Sequence, residues 1–244
     1  MQNIYDDPDF FAGYAELRRT ESGLNAALEQ PALMSLLPAS LRGLDVLDLG
    51  CGFGDFASTA KAKGAARVTG IDISSRMLAV ARERVTDPTV SFVCAPIETA
   101  ALGEAAFDLI VSSLALHYIE DYAAIVEKVA RALRPQGRFV FSVEHPVATA
   151  NGDYEWQCDP AGNKLHWKLD RYREEGRRES TWFVDGVIKY HRTVETYVNG
   201  LIDAGLILTR LTEPEATPEA LEMRADLIET WRRPVFLMLA AEKA

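Results

Sequence analysis

One stretch constrains this chain more than any other: Val46-Leu47-Asp48-Leu49-Gly50-Cys51-Gly52-Phe53-Gly54-Asp55-Phe56. The apolar run reads as a strand, the alternate glycines as a tight turn, and Asp55 onward as the start of a helix. Glycine reaches left-handed backbone conformations without a Cβ clash, so such a turn brings main-chain N–H groups close to a ligand. A strand passing through a glycine turn into a helix marks the carboxyl edge of an open α/β sheet, where nucleotide-like ligands bind. Taken alone, the pattern also fits an ordinary βα turn.

Spacing narrows the ligand. Dinucleotide sites carry G-x-G-x-x-G, which sets a pyrophosphate on a helix N-terminus. Here the glycines run G-x-G-x-G, with Asp48 before them and Asp55 after. Two carboxylates suit a ligand with cationic groups better than one with two phosphates. Asp48 with Gly50, Cys51, Gly52 and Gly54 resembles the first motif of class I S-adenosylmethionine-dependent methyltransferases, whose cofactor carries a sulfonium and an ammonium. The resemblance implies a Rossmann-like α/β fold, with a seven-stranded, mostly parallel sheet, helices on both faces and an insertion after the fifth strand. It also implies S-adenosylmethionine as cofactor and S-adenosylhomocysteine as product.

The pattern after residue 44 agrees with alternating βα units. Strands are expected at 44–49, 66–71, 90–94, 107–112 and 138–143, with helices at 55–63, after Ser74, and at 121–133. These strands are nearly continuous in apolar residues, as in a sheet buried on both faces. Asp72 closes the second strand about twenty residues past the glycine turn, where a carboxylate can accept hydrogen bonds from a ribose diol. A nicotinamide dehydrogenase would place an acid there too, and a helix N-terminal acid is a third account, although Ser74 already offers the cap. In the resemblance, Ile73 lies along the adenine and Met77 joins the cofactor residues. Relatives often carry an acid where Pro96 stands, so adenine recognition falls to Ile97 and Glu98.

The segment Phe107-Asp108-Leu109-Ile110-Val111-Ser112-Ser113-Leu114-Ala115-Leu116-His117-Tyr118-Ile119 resembles the fourth motif of type 11 methyltransferases, related to the ubiquinone and menaquinone enzymes. There the backbone around Ser113 meets the methionine end of the cofactor, and Leu114 packs near the adenosine. The Asn/Asp-Pro-Pro-aromatic box of amino-group methyltransferases and the Pro-Cys nucleophile of cytosine-carbon enzymes are both absent, which argues against nucleobase acceptors. His117, just past that strand, is a candidate general base. Glu144 and His145 form a second candidate pair past the fifth strand. Either histidine can equally be a packing residue. No His-Glu-x-x-His or other metal-ligand spacing occurs, and no metal is expected.

Residues 146–192 break the βα rhythm and hold Trp156, Trp167 and Trp182, with more Lys and Arg than acids toward their end. They are expected to form a lid or substrate-binding insertion that includes a hairpin turning at Asp185-Gly186. Tyr14, Tyr118, Trp156 and Trp182 are the substrate candidates, for a small acceptor of apolar or anionic character. Residues 9–37 have helical spacing and make the segment 1–40 a candidate cover for the cofactor site, with Tyr14 and Arg18 or Arg19 reaching inward. Residues 193–204 and 218–230 read as helices, and 206–211 and 234–241 as strands. The cofactor domain is thus expected to comprise 41–145 and 193–244.

Composition excludes several classes. A net charge of −10 over 244 residues disfavours nucleic acid as a partner. Three dispersed cysteines read as reduced thiols rather than a disulfide framework. The N-terminus has no signal-peptide pattern and no apolar run is long enough to span a bilayer, so a cytoplasmic location is expected. A homodimer is compatible with the sequence. Two rival functions share these motifs: an NAD(P)-dependent oxidoreductase, and a cofactor-binding protein without catalysis.

Overall fold

The computed structural model describes residues 2–20, 23–151 and 155–244. Parts of two expectations, the helical stretch at 21–22 and the insertion at 152–154, lie outside the described residues.

The chain begins with a 3-10 turn, Ile4–Asp6, and a helix α1, Pro8–Thr20. A π turn, Asn25–Glu29, runs directly into α2, Gln30–Leu36. Strand β1, Asp45–Leu49, leads through the glycine turn to α3, Asp55–Ala62; β2, Arg67–Asp72, leads to α4, Ser75–Arg84. Then follow β3, Val90–Cys94, β4, Phe107–Ser113, α5, Tyr122–Ala132, β5, Leu133–Glu144, and α6, Pro146–Thr149. Two hairpins make the insertion: β6, Trp156–Cys158, with β7, Lys164–Trp167, and β8, Gly176–Trp182, with β9, Val184–His191. The chain closes with α7, Val194–Asp203, β10, Leu206–Thr212, α8, Pro218–Met223, and β11, Phe236–Lys243.

The main sheet has seven strands in the order β10-β11-β5-β4-β1-β2-β3. Pairs from β5 to β3 are parallel, while β11 enters antiparallel between β5 and β10. The strand order reverses between β1 and β4, which splays the following loops apart and leaves a crevice at their carboxyl ends. Alternation along each strand fills two cores. Ile110 of β4 packs with Phe139, Phe141, Tyr122, Tyr197 and Leu201 under α5 and α7. Its neighbours Leu109 and Val111 point the other way, toward Leu28, Leu33, Ala57 and Ala60. At the opposite edge, the Arg67 and Arg134 guanidiniums clamp Asp45. The Arg67 bond does most to hold that carboxyl down at about 2.

Three local expectations need correction. The helix before β5 stops at Ala132 and the strand starts at Leu133, because Leu133 already pairs with Phe107. The expected helix over 218–230 breaks at Arg224, whose φ of −141° is extended, and continues as a 3-10 stretch, Ala225–Trp231. The β8–β9 hairpin turns at Phe183 rather than at Asp185-Gly186: Trp182 pairs with Val184, and Phe183 takes φ +61°. That left-handed phenylalanine costs about 1 kcal/mol or more. Stacking of its ring on Trp182 at 4.9 Å and its edge contact with Phe10 offset the cost.

Candidate active site

The carboxyl ends of β1 and β4 open on a cavity of about 520 Å³. Its floor is the glycine turn, where Gly50, Gly52 and Gly54 have φ of +79°, +50° and +77°. A Cβ on Gly50 would lie 2.4 Å from the Ala115 Cβ, so no side chain fits there. At Gly52 an added Cβ would meet only the Met77 Cε, at 3.8 Å, which leaves its backbone face open to a ligand. The Gly50 and Cys51 N–H groups donate to the Ile71 carbonyl at 2.8 and 3.0 Å. Gly54 lies behind the lining as the N-cap of α3.

Two buried acids flank the turn. Asp48 lines the cavity and accepts no hydrogen bond among the described residues. Burial first, then the charges of Asp72, Asp55 and Glu29, push its carboxyl up to about 8. A buried carboxyl in that state is stabilised as an anion by a cationic ligand. Asp72 accepts from the Gly52 N–H and the Ser74 N–H, both at 2.9 Å. Burial raises its pKa in spite of those two bonds. It therefore braces the turn and the start of α4 at once, and it keeps lone pairs for a diol on the cavity side. Ser74 caps α4 through the Met77 N–H at 3.1 Å, as the sequence suggests. Cys51, Ile73, Met77, Ile97, Glu98, Ser113 and Leu114 also line the cavity. Burial, above all, raises the Cys51 thiol pKa.

One wall of the cavity is aromatic. Tyr5, Tyr14, Tyr118 and Trp182 line it. Tyr5 meets Tyr14 edge-on at 5.3 Å and Tyr118 at 6.0 Å, and Tyr14 meets Trp182 at 6.0 Å. Burial keeps all three phenols protonated, raising Tyr14 to about 12 and Tyr5 and Tyr118 upward. The wall is assembled from distant elements. Asp6 accepts from the Ser74 and Ser75 hydroxyls and the Arg76 N–H. Arg18 pairs with Asp55 at the start of α3.

His117 lines the same chamber and is 2% exposed. Its Nδ1 accepts from the Glu144 N–H at 3.3 Å. Burial depresses its pKa to about 4 against the pull of Glu144. The ring is then neutral, with its hydrogen on Nε2. The Glu144 carboxylate, also in the lining, is 2.7 Å from the Lys189 ammonium, which lies 5.5 Å over the Trp182 ring. His145 stands apart from the cavity. Its Nδ1 accepts from the Val147 N–H at 3.1 Å, capping α6, and its Nε2 lies 2.7 Å from Glu213. Trp156 is also outside: it packs edge-on against Trp167 at 5.4 Å, with the Arg232 guanidinium 4.6 Å over its ring.

Known proteins with this architecture decide the family. A family model for a methyltransferase domain matches residues 47–141. A crystal structure of an S-adenosylmethionine-dependent methyltransferase from Mesorhizobium loti is 42% identical, with a TM-score of 0.84 over 91% of this chain and 100% of that one. The chain belongs to the class I S-adenosylmethionine-dependent methyltransferases. An uncharacterized protein of Haemophilus influenzae is 35% identical to this methyltransferase over 99% of the present chain and 97% of its own. The ubiquinone biosynthesis O-methyltransferase of Idiomarina loihiensis is 39% identical over 105 residues, 42% of this methyltransferase but only 43% of that enzyme. S-adenosylmethionine is thus the cofactor, and the oxidoreductase alternative falls away. The donor set fits it: an open glycine face, an unpartnered acid at Asp48 and a second acid at Asp72.

The methyltransferase cavity also contains residues that the sequence reading passed over. Tyr5 and Gln30 line it; of the two arginines expected to reach inward, Arg18 lines the cavity and Arg19 pairs with Glu16. Val235 and Phe236 enter from the start of β11. Glu29 lies just behind Ser113, with 0% exposure. Its signal was an acid beside Leu28 in an apolar helical stretch. The π turn widens the spiral, so these adjacent residues both face inward. No helix among the described residues is long and apolar enough to cross a membrane.

Proposed function

We propose that this methyltransferase moves the methyl group to a small-molecule acceptor held against the aromatic wall, by in-line displacement. The observation that carries the reading is that Tyr5, Tyr14, Tyr118 and Trp182 share one cavity with Asp48 and the glycine turn. Bound S-adenosylmethionine supplies a methyl already activated on sulfonium, so the chain's own work is alignment and exclusion of water. Segment 1–40 and the β8–β9 half of the insertion act as the cover.

The acceptor we infer is one that needs no proton removed by the protein. His117 has its basic lone pair engaged by the Glu144 N–H, so its free nitrogen is a donor. Tyr14 and Tyr118 are held protonated, and Glu144 is paired with Lys189. The carboxyls of Asp48, Asp72 and Glu98 belong to the cofactor's side of the cavity. An aromatic wall of O–H and N–H donors, with no free base among its described residues, fits a carboxylate oxygen as nucleophile: one oxygen takes the methyl while the other is held. The product is a methyl ester, and the proton count does not change.

The test is methylation of matched panels of small carboxylic acids, phenols and amines, following S-adenosylhomocysteine release and product mass. Base-labile methyl esters from the acids, with a rate flat from about pH 6 to 9 at saturating S-adenosylmethionine, are expected. Methylation of phenols or amines with no acid accepted would replace the acceptor reading. A rate falling on the acid side with an apparent pKa near the ordinary imidazole value would restore His117 as a base.

A further inference from the structure

The wholly buried carboxylate at the end of the π turn is tied to the cavity by two serines. The Glu29 Oε1 accepts from the Ser113 hydroxyl at 2.9 Å and the Ser142 hydroxyl at 2.5 Å. Its Oε2 has no hydrogen-bond partner among the described residues. The Ser142 oxygen in turn accepts from the Leu114 N–H at 3.0 Å. Leu114 has φ +50°, a left-handed conformation that a leucine keeps only when its surroundings impose it. Ser113 and Leu114 both line the cavity beside the glycine turn.

Three parts of the chain therefore meet at one side chain: the N-terminal segment through Glu29, β4 through Ser113, and β5 through Ser142. An apolar residue at position 29 would pack more cheaply, because burying a carboxyl is unfavourable unless its bonds are needed. What those bonds hold is the backbone turn at the carboxyl end of β4.

We propose that Glu29 is a positioning residue for cofactor binding, acting through Ser113 and Ser142 to hold the backbone at Ser113, which in the resembled motif meets the methionine end of the cofactor. The proposal rests on the family's cofactor and not on the acceptor reading. It separates two ligands that share a nucleoside: S-adenosylhomocysteine has the amino-acid part, and 5′-methylthioadenosine lacks it.

The experiment is calorimetric titration of both ligands into the full chain, as wild type, Glu29→Ala, Glu29→Gln and Ser142→Ala. Glu29→Ala is expected to weaken S-adenosylhomocysteine about tenfold or more, the effect of leaving two buried serine hydroxyls without their acceptor. Binding of 5′-methylthioadenosine should change less than about twofold. Glu29→Gln keeps an oxygen acceptor for both serines and is expected to recover most of the loss. Ser142→Ala, which leaves the carboxyl in place, should show the same ligand selectivity and decides the matter if Glu29→Ala does not fold. Equal losses for the two ligands, no loss for either, or no recovery in Glu29→Gln would each overturn the proposal. Wild type that binds neither ligand would instead strike the cofactor assignment.

Discussion

Asp48 is a residue whose charge is unfavourable in the ligand-free protein and is expected to be favoured once the cofactor is bound. Its carboxyl rises from 3.8 to about 8 on folding, so the folded chain favours the neutral acid. The associated stability is complete below the unfolded value and is lost as the pH rises through 8. The melting temperature of the ligand-free protein is therefore expected to fall between pH 5 and 8, and Asp48→Asn should flatten that fall. Affinity for S-adenosylmethionine should rise over the same window, because its cationic groups stabilise the carboxylate. Asp48→Asn should lose about tenfold or more in affinity. Scanning calorimetry and titration across pH check both, and an unchanged slope in the variant would refute the assignment. His117 runs the other way. Its pKa is depressed to about 4, so its contribution is present above the ordinary imidazole value and lost as pH falls through 4. Proton exchange and nitrogen shifts of the ring should show an Nε2–H imidazole that stays neutral at pH 6.

At the scale of elements, the cover proposed for the site depends on α1 lying against the β8–β9 hairpin. Gly13 makes that approach possible: a Cβ there would sit 2.6 Å from the Phe183 ring. Gly13→Ala gains about 1 kcal/mol of helix propensity and yet should loosen the contact. Hydrogen exchange in residues 8–20 is expected to speed up, with weaker cofactor binding, since Tyr14 and Arg18 sit on the same helix. Slower exchange and unchanged binding would show that the ring moves aside freely. The hairpin also shows why its turn was misplaced. Asp185-Gly186 is a sound local turn signal, but the edge-on contacts of Trp182 and Phe183 with Phe10 set the register, and Gly186 ends up within β9 with φ +77°.

For the whole molecule, cofactor binding should appear as added stability. A ligand at one hundred times its Kd adds about 2.7 kcal/mol, roughly 5–10 °C for a chain of this size. S-adenosylmethionine and S-adenosylhomocysteine should give such a shift, and NADH none. A shift with NADH alone would contradict the family. The glycine turn, Asp72 and the seven strand positions were legible because each is a local pattern: alternating glycines, a strand-end acid, apolar runs between turns. The antiparallel entry of β11 is not local, since it is set by pairing with β5 and β10. Trp156 and His145 were not separable from Trp182 and His117 by any local pattern. All four are aromatic or imidazole residues near the sheet's carboxyl edge, and only packing tells which of them face the cavity.

The sequence by itself determined the alternating α/β fold and the place of a glycine turn between two acids, because strand length and glycine spacing act over a few neighbouring residues; the cofactor followed from the family those motifs resemble. Tertiary structure alone decided the protonation of the site and the make-up of its aromatic wall. Those depend on burial and on contacts across long separations: the Glu144 N–H on His117, Ser142 on Glu29, and Tyr5 against Tyr118. A pKa or an aromatic wall is a property of the assembled environment, and no single segment of this chain carries it.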